Sequence, residues 1–335
     1  MRLSALAGDN PKRVKSQSYI APWWLPGGDL QTIYAYALPA NGRIEYRRER
    51  WETPDGDFID LDYVDASADK CSLLVLFHGL EGSSQSHYAL SLMALARQKG
   101  WRGVVPHFRG CSGEPNRLAR SYHSGDSAEI DWILRRLRAQ NPHSDLYVVG
   151  VSLGGNMLLK WLGEAGHSAG QVIERAVAVS APFDLNAAAR VLDFGHRRAI
   201  YTRSFLRSLR GKVLAKIEAH RLKIEPAAVL ACSTFRQIDD LYTAPIHGFA
   251  DADDYWTRAS SKPFLKDIQV PTLLLNARND PFLPQIALPK PNEVSASIVL
   301  DYPHSGGHVG FVEGYFPGSR EWLPRRALGF FLEQK

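Results

Sequence analysis

The chain has 335 residues, 45% of them hydrophobic, with 40 basic and 35 acidic side chains and a formal net charge of +5. This length is sufficient for a large hydrophobic core, and so mild a positive excess does not indicate nucleic-acid binding. The three cysteines, Cys71, Cys111 and Cys232, have no C-x-x-C spacing. They therefore argue against a metal site or a disulfide framework and fit a reducing compartment.

The N-terminal residues predict an arm rather than a targeting segment. Residues 1–18 are polar and lack the apolar run of a signal peptide, and no stretch approaches the roughly 18 apolar residues of a membrane span. We therefore expect a cytoplasmic protein. Residues 1–43 show no clear periodicity, and the apolar, turn-rich stretch 22–28 contains paired tryptophans. We interpret 1–43 as an arm that packs on the core.

The first predicted strands include a hairpin at the edge of a sheet and one strand at its buried centre. Residues 43–51 and 58–64 alternate in polarity and are joined by Pro54-Asp55-Gly56-Asp57, a pattern typical of a β-hairpin. Residues 73–77 form a continuous apolar run, as expected of a strand covered on both faces.

Further along the chain, strand and helix patterns alternate. Strands are predicted at 103–106, 146–149, 176–179, 272–275 and 297–300, and helices at 88–99, after residue 126 and at 325–332. Asp126 and Glu129 have the spacing of a capping box at the start of the second helix. The alternation predicts an α/β fold, with one mostly parallel, doubly wound sheet and an antiparallel N-terminal hairpin. We treat 1–335 as a single domain.

About ninety residues separate the strands at 176–179 and 272–275, which is too long for a loop in a compact domain. We expect a helical cap insertion at about 183–262. Within it, residues 190–223 hold ten basic and two acidic side chains, interleaved with apolar residues. This pattern fits an amphipathic helix with its basic face in water. The alternative is a cap over the active site that also contacts anionic lipid headgroups.

The stretch most informative about chemistry is Gly150-Val151-Ser152-Leu153-Gly154. It stands between a predicted strand and a helical stretch, as in a nucleophile elbow. Ser152 would occupy the apex of the turn, and the two glycines would let the strand and helix approach closely. We therefore predict Ser152 as a nucleophile at a helix N-terminus, where developing negative charge is favoured.

A serine nucleophile needs a base and an orienting acid, which follow it in α/β-hydrolases in the order acid, then histidine. Asp280 follows the strand at 272–275, and His308 follows the strand at 297–300 after two glycines. We predict Asp280 and His308 as the acid and the base. The competing residues are Asp301 or Asp184 for the acid and His304 for the base.

The oxyanion of a tetrahedral intermediate needs two backbone donors. The Leu153 N–H is predicted as one, and the Leu80 N–H, in the loop His78-Gly79-Leu80-Glu81-Gly82, as the other, with Glu81 as its rival. His78 is expected to buttress this loop through hydrogen bonds. Cys111 has no evident activating partner and is interpreted as structural.

With these residues assembled, the chain resembles the YheT-like α/β-hydrolases, relatives of eukaryotic α/β-hydrolase-domain phospholipases and monoacylglycerol lipases. The matching stretches are Trp24-Leu25-Pro26-Gly27-Gly28, Leu30-Gln31-Thr32, His78-Gly79-Leu80-Glu81-Gly82, 108–113, 123–126, 150–156, 253–256, Asn279-Asp280-Pro281 and 306–311. The resemblance implies an esterase or lipase with Ser152, Asp280 and His308 at the charge-relay positions. Asp29 departs from the family pattern, in which histidine often precedes Leu-Gln-Thr.

These observations lead to one preferred function and two alternatives. The preferred function is a serine hydrolase acting on short- to medium-chain acyl esters, with monoacylglycerols among the candidates and no metal or cofactor. The first alternative is an acyltransferase using the same triad, although the chain lacks the His-x-x-x-x-Asp motif of some relatives. The second is an inactive hydrolase scaffold that binds a lipid or a protein partner.

Overall fold

The computed structural model describes residues 18–39, 44–66 and 71–333. Within these ranges the strands are β1 (Arg47–Glu52), β2 (Phe58–Val64), β3 (Leu73–Phe77), β4 (Arg102–Pro106), β5 (Leu146–Val151), β6 (Arg175–Val179), β7 (Thr272–Leu275) and β8 (Ile298–Asp301). They form one sheet in the order β1-β2-β4-β3-β5-β6-β7-β8. The β1–β2 and β2–β4 pairs are antiparallel, and the other pairs are parallel. The predicted fold class, with its N-terminal hairpin at the sheet edge, is confirmed.

Twelve α-helices accompany the sheet in the described ranges. They are α1 (Gly28–Ala37), α2 (His87–Gln98), α3 (Ser127–Gln140), α4 (Leu153–Ala165), α5 (Leu185–Leu192), α6 (Gly195–Arg197), α7 (Arg203–His220), α8 (Pro226–Ala231), α9 (Phe235–Ile238), α10 (Ala244–Ile246), α11 (Ala252–Ala259) and α12 (Trp322–Phe331). No helix in the part of the chain that is described has both the length and the apolar character needed to cross a membrane.

The central strands are apolar throughout because helices cover both faces of the sheet. Leu73 and Val75 of β3 belong to the cluster that contains Ile130 of α3. Leu74, on the opposite face of β3, belongs to the cluster that contains Leu92 of α2. Alternate residues of one strand thus enter two different cores, which explains the continuous apolar runs in the sequence.

The N-terminal region contains a helix that the sequence did not predict. Only Gln31 and Ala35 of α1 are buried, so the helix carries no apolar stripe from which a period could be recognised. Tyr19, before α1, packs edge-on against the ring of Phe311 and lies in the core. Of the predicted arm 1–43, residues 1–17 and 40–43 lie outside the described residues.

The turn between β5 and α4 has the backbone of a sharp elbow. Ser152 lies between them with φ 53° and ψ −121°, a conformation that is costly for any residue with a Cβ atom. A Cβ added to Gly150 would lie 2.6 Å from the Gly154 carbonyl oxygen, so the strand and helix can meet this closely only with glycine.

Residues 183–262, called here the helical segment, contain α5 to α11 and no strand. The segment has an apolar cluster of its own, in which Leu206 and Val213 of α7 pack with Tyr242.

One interpretation of 190–223 places its basic side chains in water, but the structure shows that not all of them face water. Lys216 is 6% exposed, and its ammonium group donates to the Asn116 and Leu118 carbonyl oxygens.

The predicted capping box at the start of α3 is wrong. Asp126 occupies the N-cap position, but its side chain caps no backbone N–H of the helix. Its carboxylate instead accepts a 2.5 Å hydrogen bond from Arg120, and Glu129 accepts one of 2.6 Å from Arg109. A buried charge is stabilised more by a charged partner than by a neutral backbone donor, and the ion pairs therefore take both carboxylates.

The close contact at the elbow gives a test of the fold. In Gly154→Ala, the new Cβ would lie 2.5 Å from the carbonyl oxygens of Phe77 and His78, so backbone must move. We expect the free energy of unfolding to fall by about 2–3 kcal/mol in urea titrations. The control Gly170→Ala, which meets no atom within 4 Å, should change it by less than about 0.5 kcal/mol. Equal stabilities of the two variants would contradict this packing.

Candidate active site

Three side chains from distant parts of the chain meet beyond the carboxyl ends of β5, β7 and β8. Ser152 Oγ lies 2.9 Å from His308 Nε2. His308 Nδ1 lies 3.0 Å from Asp280 Oδ2 and 3.2 Å from Oδ1. Since parallel neighbouring strands end at one edge of the sheet, residues just beyond them converge although 156 positions separate Ser152 from His308.

The predicted acid and base are shielded from water and held from several sides. The side chains of Asp280 and His308 are 1% and 9% exposed. Asp280 Oδ1 also accepts the Phe282 N–H at 2.7 Å, and the Phe282 ring stacks on the imidazole at 3.9 Å between centroids. With Nδ1–H donated to the carboxylate, Nε2 is the acceptor that faces the serine hydroxyl.

The competing acids and base lie elsewhere. The Asp301 carboxylate accepts a 2.7 Å hydrogen bond from Arg326, and Asp184 caps α5 by accepting the Ala187 N–H at 3.0 Å. His304 is exposed. Of the residues considered in the sequence, the structure therefore brings Ser152, Asp280 and His308 together.

The loop after β3 leaves one backbone donor unused near the serine. The Gly79 N–H donates to the Tyr88 hydroxyl at 2.8 Å, and the Glu81 N–H donates to the Tyr122 hydroxyl at 3.0 Å. The Leu80 N–H has no such partner within residues 71–333. Glu81 is therefore unsuited to be the second oxyanion donor, and Leu80, with Leu153 at the start of α4, is the better candidate.

His78 stabilises this loop as a neutral imidazole. Its Nε2 accepts the Phe108 N–H at 3.1 Å, so the proton is on Nδ1, which donates to the Gly79 carbonyl oxygen at 2.8 Å. Burial lowers the pKa of His78 from 6.5 to about 3, which keeps the ring uncharged at neutral pH. The expected buttressing role agrees with these contacts.

The helical segment covers the serine with apolar side chains and leaves a cavity of about 150 Å³. Ser152, Leu153, His308 and Leu80 all line it. From the helical segment its apolar wall includes Leu185, Leu192, Phe205, Leu209, Val213 and Phe235. An apolar cavity of about this size in another protein admits benzene, so a small apolar group fits here.

Comparison with known proteins shows the family of the chain. The family model described as the alpha/beta hydrolase fold matches residues 72–315. Over 313 residues the chain is 42% identical to YheT of Escherichia coli strain K12, covering 91% of each protein. The chain belongs to the YheT-like α/β-hydrolases. The Escherichia coli relative is named an esterase.

More distant relatives of this YheT-like hydrolase have lipase names. Human phospholipase ABHD3 is 27% identical, covering 93% of this chain and 78% of the relative. Monoacylglycerol lipase of Saccharomyces cerevisiae is 28% identical, covering 81% and 60%. A solved structure of Est1E from Butyrivibrio proteoclasticus with ferulic acid superposes with a TM-score of 0.54 at 14% identity, covering 87% and 98%, and shows the shared fold.

In this YheT-like hydrolase the loop that carries Leu80 is joined to the helical segment. The Lys212 ammonium group of α7 donates to Glu81 Oε1 at 2.8 Å, and the Ser208 hydroxyl donates to Oε2. Lys212 Nζ also lies 3.4 Å from Cys111 Sγ, but burial raises the pKa of this thiol to about 11. Cys111 therefore remains protonated at neutral pH, in agreement with its structural interpretation.

Three contacts at the site had no sequence signal by which they could be assigned. Phe282 stacks on His308, Tyr122 occupies the Glu81 N–H, and the Thr32 hydroxyl accepts the His308 N–H at 2.8 Å. Thr32 belongs to a stretch on which the family resemblance rests. No periodicity or spacing rule, however, relates position 32 to position 308.

The buried His78 gives a pH prediction for stability. Burial lowers the pKa of His78 to about 3 in the folded protein, whereas in the unfolded chain the pKa has its ordinary value of 6.5. Below pH 6.5 the unfolded chain therefore binds a proton that the folded protein does not. The free energy of unfolding should therefore fall as the pH decreases from 7.5 to 5.0. In His78→Gln this decrease should be smaller by about 1–2 kcal/mol.

The measurement is a pair of urea titrations at each pH. His167→Gln, at an exposed site, is the matched control and should keep the wild-type pH dependence. An unchanged pH dependence in His78→Gln would show that His78 does not titrate differently in the two states.

Proposed function

We propose that this chain hydrolyses carboxylic esters through a Ser152–His308–Asp280 triad and a covalent acyl-enzyme. The observation that carries the proposal is the continuous hydrogen-bonded series from the Asp280 carboxylate through the imidazole to the Ser152 hydroxyl at the wall of an apolar cavity. This arrangement activates a hydroxyl that is otherwise a weak nucleophile at neutral pH. The esterase and lipase names of the relatives support the same reaction class.

In the proposed mechanism, Ser152 Oγ attacks the ester carbonyl carbon while His308 Nε2 takes the hydroxyl proton. The carbonyl π electrons move onto oxygen, and the Leu80 and Leu153 N–H groups donate to that oxyanion. The intermediate collapses as His308 returns the proton to the leaving alcohol. Water, deprotonated by His308, then releases the acid and restores Ser152. Asp280 keeps the imidazole in the required tautomer throughout.

The cavity supports a preference for short- to medium-chain acyl esters, with monoacylglycerols as candidate substrates. Its walls are mostly apolar and come from both the sheet edge and the helical segment. We assign residues 183–262 as a cap insertion of a single hydrolase domain, because this segment forms much of the wall over Ser152. The described part of the arm 1–43 packs on the core through Tyr19 and Leu25.

We also propose that the basic residues of 190–223 bring the protein to anionic lipid surfaces. Arg198, Arg203 and Arg207 are exposed, and the neighbouring Phe194 and Ile200 expose 80% and 44% of their surface. Exposed apolar side chains next to basic ones suit the interface of an anionic bilayer. This contact would deliver a lipid ester close to the cavity.

Replacing the nucleophile tests the proposed reaction. Ser152→Ala should lower kcat for a 4-nitrophenyl acyl ester by at least about 10³-fold, because no attacking hydroxyl remains. Asp280→Asn should lower kcat by roughly 10³–10⁴-fold, because the amide favours the wrong imidazole tautomer. The rate of 4-nitrophenol release measures both.

Ser168→Ala, three residues beyond the C-terminal end of α4, is the matched control and should retain wild-type kcat. Activity of Ser152→Ala equal to the wild type would exclude the proposed nucleophile. Appearance of an ethyl ester in place of the free acid, when ethanol is added, would indicate acyl transfer instead of hydrolysis.

Sedimentation with lipid vesicles tests the membrane contact. The double variant Arg203→Glu and Arg207→Glu should bind phosphatidylglycerol vesicles at least about 30-fold more weakly than the wild type, at roughly 1 kcal/mol per basic side chain. Arg97→Glu with Lys99→Glu, an exposed pair at the end of α2, should bind like the wild type. Equal weakening by both pairs, or no binding by the wild type, would exclude a docking role for 190–223.

A further inference from the structure

Helix α1 lies directly against the two loops that carry the proposed acid and base. A Cβ added to Gly28 would lie 1.9 Å from the Asn279 carbonyl oxygen, and one added to Gly307 would lie 2.6 Å from the Gly28 carbonyl oxygen. Asn279 immediately precedes Asp280, and Gly307 immediately precedes His308. The helix therefore contacts the backbone next to both residues of the charge relay.

Thr32 holds the backbone of His308 itself. Its hydroxyl accepts the His308 N–H at 2.8 Å and donates to the Gly28 carbonyl oxygen at 2.7 Å within α1. Because the hydroxyl proton is donated within the helix, a lone pair of the oxygen accepts the His308 N–H. Thr32 is not among the residues that line the cavity.

Gln31 connects both loops from the next position of the helix. Its side chain is buried, and Oε1 accepts the Gly306 N–H at 2.8 Å and the Asn279 side-chain amide at 3.0 Å. Its own amide donates to the Leu25 carbonyl oxygen at 2.9 Å, which fixes the orientation of the group. Asn279 Oδ1 in turn accepts the Gly307 N–H at 3.0 Å, so the acid loop and the histidine loop are also bonded to each other.

We propose that Gln31 and Thr32 are positioning residues that set the distance between the Asp280 carboxylate and the His308 imidazole. This inference rests on the proposed function, since it concerns the same charge relay. The histidine loop contains Gly306 and Gly307, both with positive φ, and glycine backbone has many alternative conformations. The hydrogen bonds to α1 select one of them. Neither residue touches the reacting atoms, so both act through the loops they hold.

The inference predicts a loss of turnover without a loss of substrate binding. Thr32→Val keeps the shape of the side chain but removes the acceptor of the His308 N–H. We expect kcat for a 4-nitrophenyl ester to fall about 10- to 100-fold, because a displacement near 1 Å has effects of this size. KM should stay within about twofold. Thr32→Ser, which retains the hydroxyl, should restore most of the activity.

Tyr34→Phe is the matched control on the same helix. It removes the 2.9 Å hydrogen bond from the Tyr34 hydroxyl to the Pro317 carbonyl oxygen, which does not involve the acid or histidine loop. Both variants lose one hydrogen bond between α1 and the body of the protein. A role confined to stability would lower the melting temperature in both and leave kcat, measured well below it, unchanged in both.

Labelling of Ser152 by a fluorophosphonate adds a readout that needs no substrate, and Thr32→Ala provides a second variant should Thr32→Val fold poorly. Folded Thr32 variants should be labelled about 10-fold or more slowly than the wild type. Labelling and kcat equal to the wild type would overturn the positioning role alone. A wild-type protein that is neither labelled at Ser152 nor active on esters would overturn the proposed function, and this inference with it.

Discussion

The arrangement of the site depends on one constraint, the hydrogen-bonded series that joins Asp280, His308 and Ser152. Each of these residues follows a different strand, so their mutual distances are set by the register of β5, β6, β7 and β8 and by the loops beyond them. A rigid parallel sheet provides the register, because β5, β6 and β7 are packed on both faces. The loops alone could not provide it, since the histidine loop is rich in glycine.

The same requirement explains the strained backbone and the buried polar side chains that lie at this edge. Ser152 has positive φ, and Gly150 and Gly154 allow the strand and helix contact that holds it there. The buried Gln31 accepts hydrogen bonds from both loops through its side-chain oxygen, and its amide nitrogen donates to the Leu25 carbonyl oxygen. A buried polar side chain is tolerated only when its hydrogen bonds are made. In this protein those bonds also orient the residues that would do chemistry.

The central strands and the turn at Ser152 could be predicted from the sequence, and the predictions that failed did so for physical reasons. Continuous apolar runs predicted the central strands, and the Gly-x-Ser-x-Gly stretch predicted the sharp turn at Ser152, because both signals are local. The spacing of Asp126 and Glu129 was misleading, since Arg120 and Arg109 bind the two carboxylates instead of the helix backbone. Helix α1 was missed because its buried face is formed by Gln31 and Ala35 rather than by a stripe of large apolar residues. Contacts between distant loops leave no period in the sequence.

The most direct test of the account is a crystal structure of the protein after reaction with a fluorophosphonate. The account predicts a phosphonyl group on Ser152 Oγ, with its non-bridging oxygen about 2.7–3.1 Å from the backbone nitrogens of Leu80 and Leu153. The His308 imidazole should lie beside the bonded oxygen and keep its hydrogen bond to Asp280. A phosphonyl group on another residue, or one whose oxygen faces away from both backbone nitrogens, would contradict it.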